Sequence, residues 1–138
     1  RLTGELPQDA DLGATADGRG KSLEESARRL ARMIGCDADV DAPLAAWTAL
    51  AEYVAELQLR RIHDACGHAL SDHAIGAGAP LVGAGAGSFV VRKAAQRLAW
   101  PYQDFAELIV TEGVDVARVS ACAPAFAVAA LLQAADGR

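Results

Sequence analysis

The stretch Pro80 to Leu98, PLVGAGAGSFVVRKAAQRL, holds the residues best suited to ligand chemistry. A short apolar run (Leu81, Val82) meets the alternating glycines Gly83, Gly85 and Gly87, and Ser88 then opens a segment whose Val90, Val91, Ala94, Ala95 and Leu98 recur at helical spacing. The pattern predicts a strand, a glycine turn and a helix. Glycine admits positive φ and carries no Cβ, so a flat or charged group can lie against the backbone, and a helix N-terminus offers unpaired N–H groups to a phosphate. Nucleotide contact is the chemistry this suggests. Close packing of helix on strand would use the same glycines, and spacing alone weighs the two equally.

The remaining candidates are thinner. Residues 1–21 form an irregular, glycine-containing segment that holds Arg1, Thr3, Glu5, Asp17 and Arg19, a usual setting for polar ligand contacts, but spacing alone makes it no better than a surface loop. Arg28, Arg29 and Arg32 suggest an anion site, with a solvated helix face as the stronger reading. His63, His68 and His73 recur every five residues, about 140° apart on a helix, so one face cannot present all three to a metal. His63 and Cys66 are three apart, but two ligands make no site, and no metal site is assigned. No GxSxG elbow is present.

The elements that must position these groups are mostly helical. Ser22 and Glu25 form a capping-box pattern, Leu23, Ala27, Leu30 and Ile34 share a face, and Gly35 ends the helix. Glu24–Arg28 and Glu25–Arg29 are expected i,i+4 pairs. After an acidic linker, Asp37–Asp41, a long helix follows. Its apolar stripe runs through Leu44, Trp47, Leu50, Val54, Leu57, Ile62, Ala65 and Ala69, with Glu56–Arg60 as a surface pair. Trp100–Pro101 closes the helix behind the glycine turn, Phe105–Val110 is a candidate strand, and a last helix covers Ala121–Ala135 with Pro124 in its first turn. The order implies a helix-rich α/β layer with parallel strands, yet two strands make an incomplete sheet.

Composition agrees. Of the 138 residues 52% are hydrophobic but only 5% aromatic, and 32 are alanine, a good helix former that buries little area. Such a core calls for help from another domain or chain. The net charge of −5 argues against nucleic acid as partner. No run suits a membrane span, and three cysteines without CxxC spacing suit a reducing compartment, so a cytoplasmic location is expected. The first residue is Arg1, which suits a processed or excised piece.

The blocks RLTGELPQDAD, TADGRGKSLEESARRLARMIG, AELQLRRI, PLVGAGAGSF and CAPAFAVAALL occur in an order that resembles the C-terminal part of the hydantoinase/oxoprolinase-related proteins of tetrahydromethanopterin- and methanofuran-linked one-carbon metabolism. The resemblance implies an actin-like ATPase fold built of ribonuclease-H-like halves, of which 1–138 would be one C-terminal segment. Residues 1–21 would be its irregular part, 22–70 its helical part and 80–138 its nucleotide side. It implies a transferase that joins an aminomethylfuran-methyl diphosphate to a glutamyltyramine-like acceptor with loss of pyrophosphate, inactive without its N-terminal half or a complementary chain. ATP or ADP and Mg would belong to the full-length protein, whose phosphate loops and acidic metal ligands lie upstream of the part matched. Gly83, Gly85, Gly87 and Ser88 would then shape the nucleotide side, Asp17 and Arg19, both on a loop in a matched block, would contact substrate or phosphate, and Gln58 and Arg61 would line the groove from the long helix.

Two alternatives belong to other classes. One is a non-catalytic helical interaction domain, which would form oligomers. The other is a small dinucleotide-binding module, with Gly83, Gly85 and Ser88 at the GxGxxG positions and Glu112 as the ribose-binding acid.

Overall fold

The computed structural model describes residues 1–6, 10–36, 42–71, 75–76, 78–109 and 116–136. The chain divides into two compact units, residues 1–61 and 62–138. The elements are α1 (Leu23–Met33), α2 (Leu44–Ser71), β1 (Leu81–Gly83), α3 (Ser88–Leu98), β2 (Tyr102–Asp104), a 3-10 turn (Phe105–Leu108), α4 (Val116–Ala121) and α5 (Ala123–Asp136). This is a helix-rich α/β chain with a two-stranded parallel sheet, Leu81 facing Tyr102 and Gly83 facing Asp104.

In the first unit, Ser22 caps α1 by accepting the Glu25 N–H at 3.2 Å. Gly35 adopts φ +76 just past the helix end, where an αL residue lets the last carbonyls find donors. Ile34 and Gly35 donate to the Ala31 and Arg32 carbonyls at 3.1 Å each. The charge pairing differs from the i,i+4 expectation. Glu25 pairs with Arg28 at 3.3 Å, one residue closer, and Arg29 turns to Asp17 instead. Arg29 can do so because the loop before α1 brings a carboxylate to it, and a longer-range partner wins over a marginal helical one.

Helix α2 forms over the expected span, but its most covered side is not the expected stripe. Leu59 is its buried residue, and Ala51 and Ala55 behind it are half-buried while Leu44, Val54 and Leu57 are exposed. Tyr53 beside them is 59% exposed. Trp47, Leu50 and Ile62 of the expected stripe are half-buried as well, so the covered side overlaps that stripe in part.

In the second unit, α3 packs on both strands, with Ala94 and Ala95 buried beneath it. It ends at Ala99, a left-handed residue with φ 52 whose N–H donates to Gln96. Pro101 follows, and its carbonyl accepts the Leu81 N–H at 2.9 Å, so the chain enters β2 already beside β1. The second strand therefore lies three residues before the expected one. Phe105–Leu108 winds into a 3-10 turn because Asp104 accepts the Ala106 N–H at 3.1 Å, an Asx-type cap that diverts the backbone from the ladder. The last helix is divided at Cys122, where Phe126 donates to the Cys122 carbonyl and Pro124 sits in the first turn of α5, the position that tolerates proline.

The core is thin. Among the described residues the buried apolar side chains are Leu59 and six alanines. Helix α5 is itself largely uncovered. Phe126, Val128, Leu131 and Leu132 are 43 to 71% exposed, in a helix that carries no charge before Asp136. Among the described residues no helix is long and apolar enough to cross a membrane.

Candidate functional site

The parallel pair directs its carboxyl ends, Gly83 and Asp104, to one edge, and the glycine turn continues from there to the start of α3. In parallel sheets that edge is where ligands bind. The three glycines of the turn serve different ends. Gly83 lies against the Tyr102 ring: a Cβ there would collide with the hydroxyl and sit 2.7 Å from Cε2. Gly85 takes φ +76, and its N–H donates to the Ser120 carbonyl at 2.7 Å, tying the turn to α4. Gly87 is the N-cap of α3, with no side-chain cap bond and nothing within 4 Å of where a Cβ would stand. Close packing thus accounts for Gly83, and a backbone tie accounts for Gly85. Gly87 and Ser88 leave an open approach.

Beside the turn stand three side chains that the pattern reading passed over. The Arg92 guanidinium lies 4.5 Å from the centre of the Tyr102 ring. The Tyr102 hydroxyl donates to Asp104 Oδ2 at 3.3 Å, and Arg92 Nη2 is 3.9 Å from the same oxygen. A signal for Arg92 was present: it follows Ser88 by four residues, so both lie on one face of α3.

The other expected contacts lie in the first unit, to which Asp17, Arg19, Gln58 and Arg61 all belong. Asp17 is enclosed by donors. Its carboxylate accepts from Arg29 at 3.3 Å, from Arg32 at 3.2 Å and from the Arg19 N–H at 3.2 Å. Burial pushes its carboxyl upward, but the Arg19 N–H and the Arg29 charge outweigh that and hold it below the usual carboxylate range. Arg29 also donates to the Gly20 carbonyl at 3.0 Å. Two of the three arginines considered for an anion site are thus counter-ions of Asp17. Arg19 is half exposed and 3.9 Å from Glu25. Asp11, with Arg1 and Lys21 each 3.2 Å from its carboxylate, is likewise lowered, first by the Lys21 hydrogen bond and then by that from Arg1. Gln58 and Arg61 are exposed on α2.

A cavity of about 170 Å³ opens between α1 and the start of α2, floored by Ala27, Ala31 and Trp47 with Glu24 and Arg28 at its rim. Of the candidate ligand contacts read from the sequence, Arg28 lines it, whereas Asp17, Arg19, Gln58, Arg61 and the glycine turn do not. Among the described residues no three His, Cys, Asp or Glu side chains gather where a metal could be held. His63 has Asp64 at 3.6 Å as its neighbour, and His73 and Glu112 fall outside the described residues.

No family model, curated protein or solved structure matches the chain.

Proposed function

We propose that the chain is the C-terminal, ligand-facing part of a transferase of the methanofuran and tetrahydromethanopterin-linked kind, acting on a diphosphate-bearing substrate and inactive without the portion that carries the metal. The supporting observation is the carboxyl edge of the parallel pair, where Gly87 leaves open space at the N-terminus of an eleven-residue helix. Gly83 and Gly85 shape that edge, and Gly87 and Ser88 meet the ligand. The resemblance of the RLTGEL and TADGR…RLARM blocks adds the reaction class. Phosphate loops and acidic metal ligands are the parts a partner portion would contribute.

Calorimetric titration with ADP, and separately with NAD, tests the ligand part of this reading. Saturable ADP binding that Gly87→Val abolishes supports it, because that position has negative φ and room for a side chain, so the variant folds while its valine fills the approach. Preference for NAD would favour the dinucleotide module. The absence of binding by the unaltered chain would overturn the ligand reading.

A second reading, a helical interaction domain, is favoured by α5. A helix apolar on all sides is a core helix in most proteins, and this one leaves Leu131 71% exposed. Light scattering across a concentration series checks it, with a mass that rises with concentration as the expected result.

A further inference from the structure

We infer that Arg92 is the residue through which the carboxyl edge reads the anionic group of its ligand, a phosphate ester or diphosphate, with Tyr102 and Asp104 as its positioning residues. The inference rests on the ligand reading above and adds an anion contact within this chain.

The arrangement begins with a missing side chain. Because Gly83 has no Cβ, the Tyr102 ring can lie against β1, and its face then receives the Arg92 guanidinium at 4.5 Å. Stacking of this kind orients the guanidinium plane and leaves its N–H edge available. Asp104, the carboxylate paired with it among the described residues, is already engaged. Its Oδ1 accepts the Ala106 N–H at 3.1 Å and its Oδ2 the Tyr102 hydroxyl at 3.3 Å. What remains for Arg92 is a 3.9 Å contact, an ion pair too long for a hydrogen bond. Among the described residues the guanidinium makes no hydrogen bond, and its side chain is 56% exposed.

The guanidinium is thus held by a ring and a charge while its donor fork is unmatched. Arg29 and Arg60 are placed differently, whereas Arg19 is also half exposed with a single 3.9 Å pair but has no ring beneath it among the described residues. Arg29 hydrogen-bonds to Asp17, Gly20 and Ser26, and Arg60 to Glu56 at 2.8 Å. An oriented planar fork suits bidentate recognition of phosphate or carboxylate oxygens. The Ser88 hydroxyl, one helical turn nearer the open Gly87, favours the tetrahedral phosphate, which takes a further donor from another direction. Asp104, close to the same guanidinium, keeps the positive charge from being a general anion trap and favours a ligand that can displace a 3.9 Å contact with two short ones.

Calorimetric titration of the 138-residue chain with pyrophosphate, ADP and adenosine tests this, using Arg92→Gln, Arg92→Lys and Tyr102→Phe. Arg92→Gln should weaken pyrophosphate and ADP at least about tenfold, the scale of a lost charge-assisted pair, and leave adenosine unchanged. Arg92→Lys should fall between, since it keeps the charge and loses the fork. Tyr102→Phe retains the ring face but frees the Asp104 oxygen that the hydroxyl occupies, so that carboxylate competes for the Arg92 fork and binding of both ligands should weaken, by less than in Arg92→Gln. If Arg92→Gln binds ADP and pyrophosphate as the unaltered chain does, the inference is overturned and the ligand reading stands. If the unaltered chain binds neither, both fall. If pyrophosphate binding depends on Arg92 but ADP gains nothing over it, Arg92 keeps its role and the nucleoside part of the reading fails.

Discussion

The arginines around Asp17 and the arginine above Tyr102 occupy opposite situations in one chain. Asp17 draws Arg29, Arg32 and the Arg19 backbone onto one carboxylate, so the loop before α1 is fastened down and the Arg29 and Arg32 guanidinium groups are occupied. Arg92 is held by a ring and a distant carboxylate, and among the described residues its guanidinium makes no hydrogen bond while its side chain is more than half exposed. Both patterns look basic in the sequence. Only the second leaves charge available to a ligand, and the difference follows from what each carboxylate already accepts.

Breaking the packing under Arg92 should give the largest effect. Gly83→Ala sets a Cβ against the Tyr102 ring, an overpacking of about 1–3 kcal/mol, and thermal unfolding followed by circular dichroism should show the loss. Tyr102→Ala in the same chain should recover part of it. Full additivity of the two changes would mean that the ring and the glycine do not meet.

On the other side of the comparison, Asp17→Asn should lower the thermal midpoint at neutral pH. The sign of its pH dependence is set by the lowered carboxyl of Asp17. A folded-state pKa below the unfolded one contributes stability in full above the unfolded value, about 3.9, and loses it as pH falls through the folded value. The gap between the two proteins should therefore be widest from about pH 5 upward and close toward pH 2. Midpoints measured along that series check it, and a gap that persists into acid would mean that charge is not what Asp17 contributes.

The smallest effect concerns neither charge cluster. Ala99 closes α3 with φ 52, a conformation that costs a residue with a Cβ about 1 kcal/mol. Ala99→Gly should raise stability by a few tenths of a kcal/mol, since the added freedom of the unfolded chain offsets part of the relief. Denaturant midpoints would read the gain.

How much of this the sequence disclosed depends on how local each cause is. Ser22, Gly35 and the alanine-valine periodicity behind Ser88 act within a turn or two, and α1 and α3 form as their patterns predict. Phe105–Val110 carries ambivalent residues, and the strand was displaced to Tyr102–Asp104 by Pro101, which pairs with Leu81, and by the cap that Asp104 forms. In α2 both the aliphatic stripe and the alanine side are apolar, so periodicity could not say which would be covered, and Leu59 is the one that is buried. The ion pairs of Asp17 span 12 and 15 residues, beyond any spacing rule. Gly83 was legible as a glycine that something must approach closely. That the approaching group is Tyr102, 19 residues later and across a parallel ladder, required the fold.

Amide hydrogen exchange with and without ADP measures most directly which of the two regions meets a ligand. Added protection is expected across residues 83–92, at the turn and the first turns of α3, with residues 15–32 unchanged because Asp17 already occupies Arg29 and Arg32. Protection appearing in the Asp17 loop and α1, with the glycine turn unaffected, would contradict that expectation.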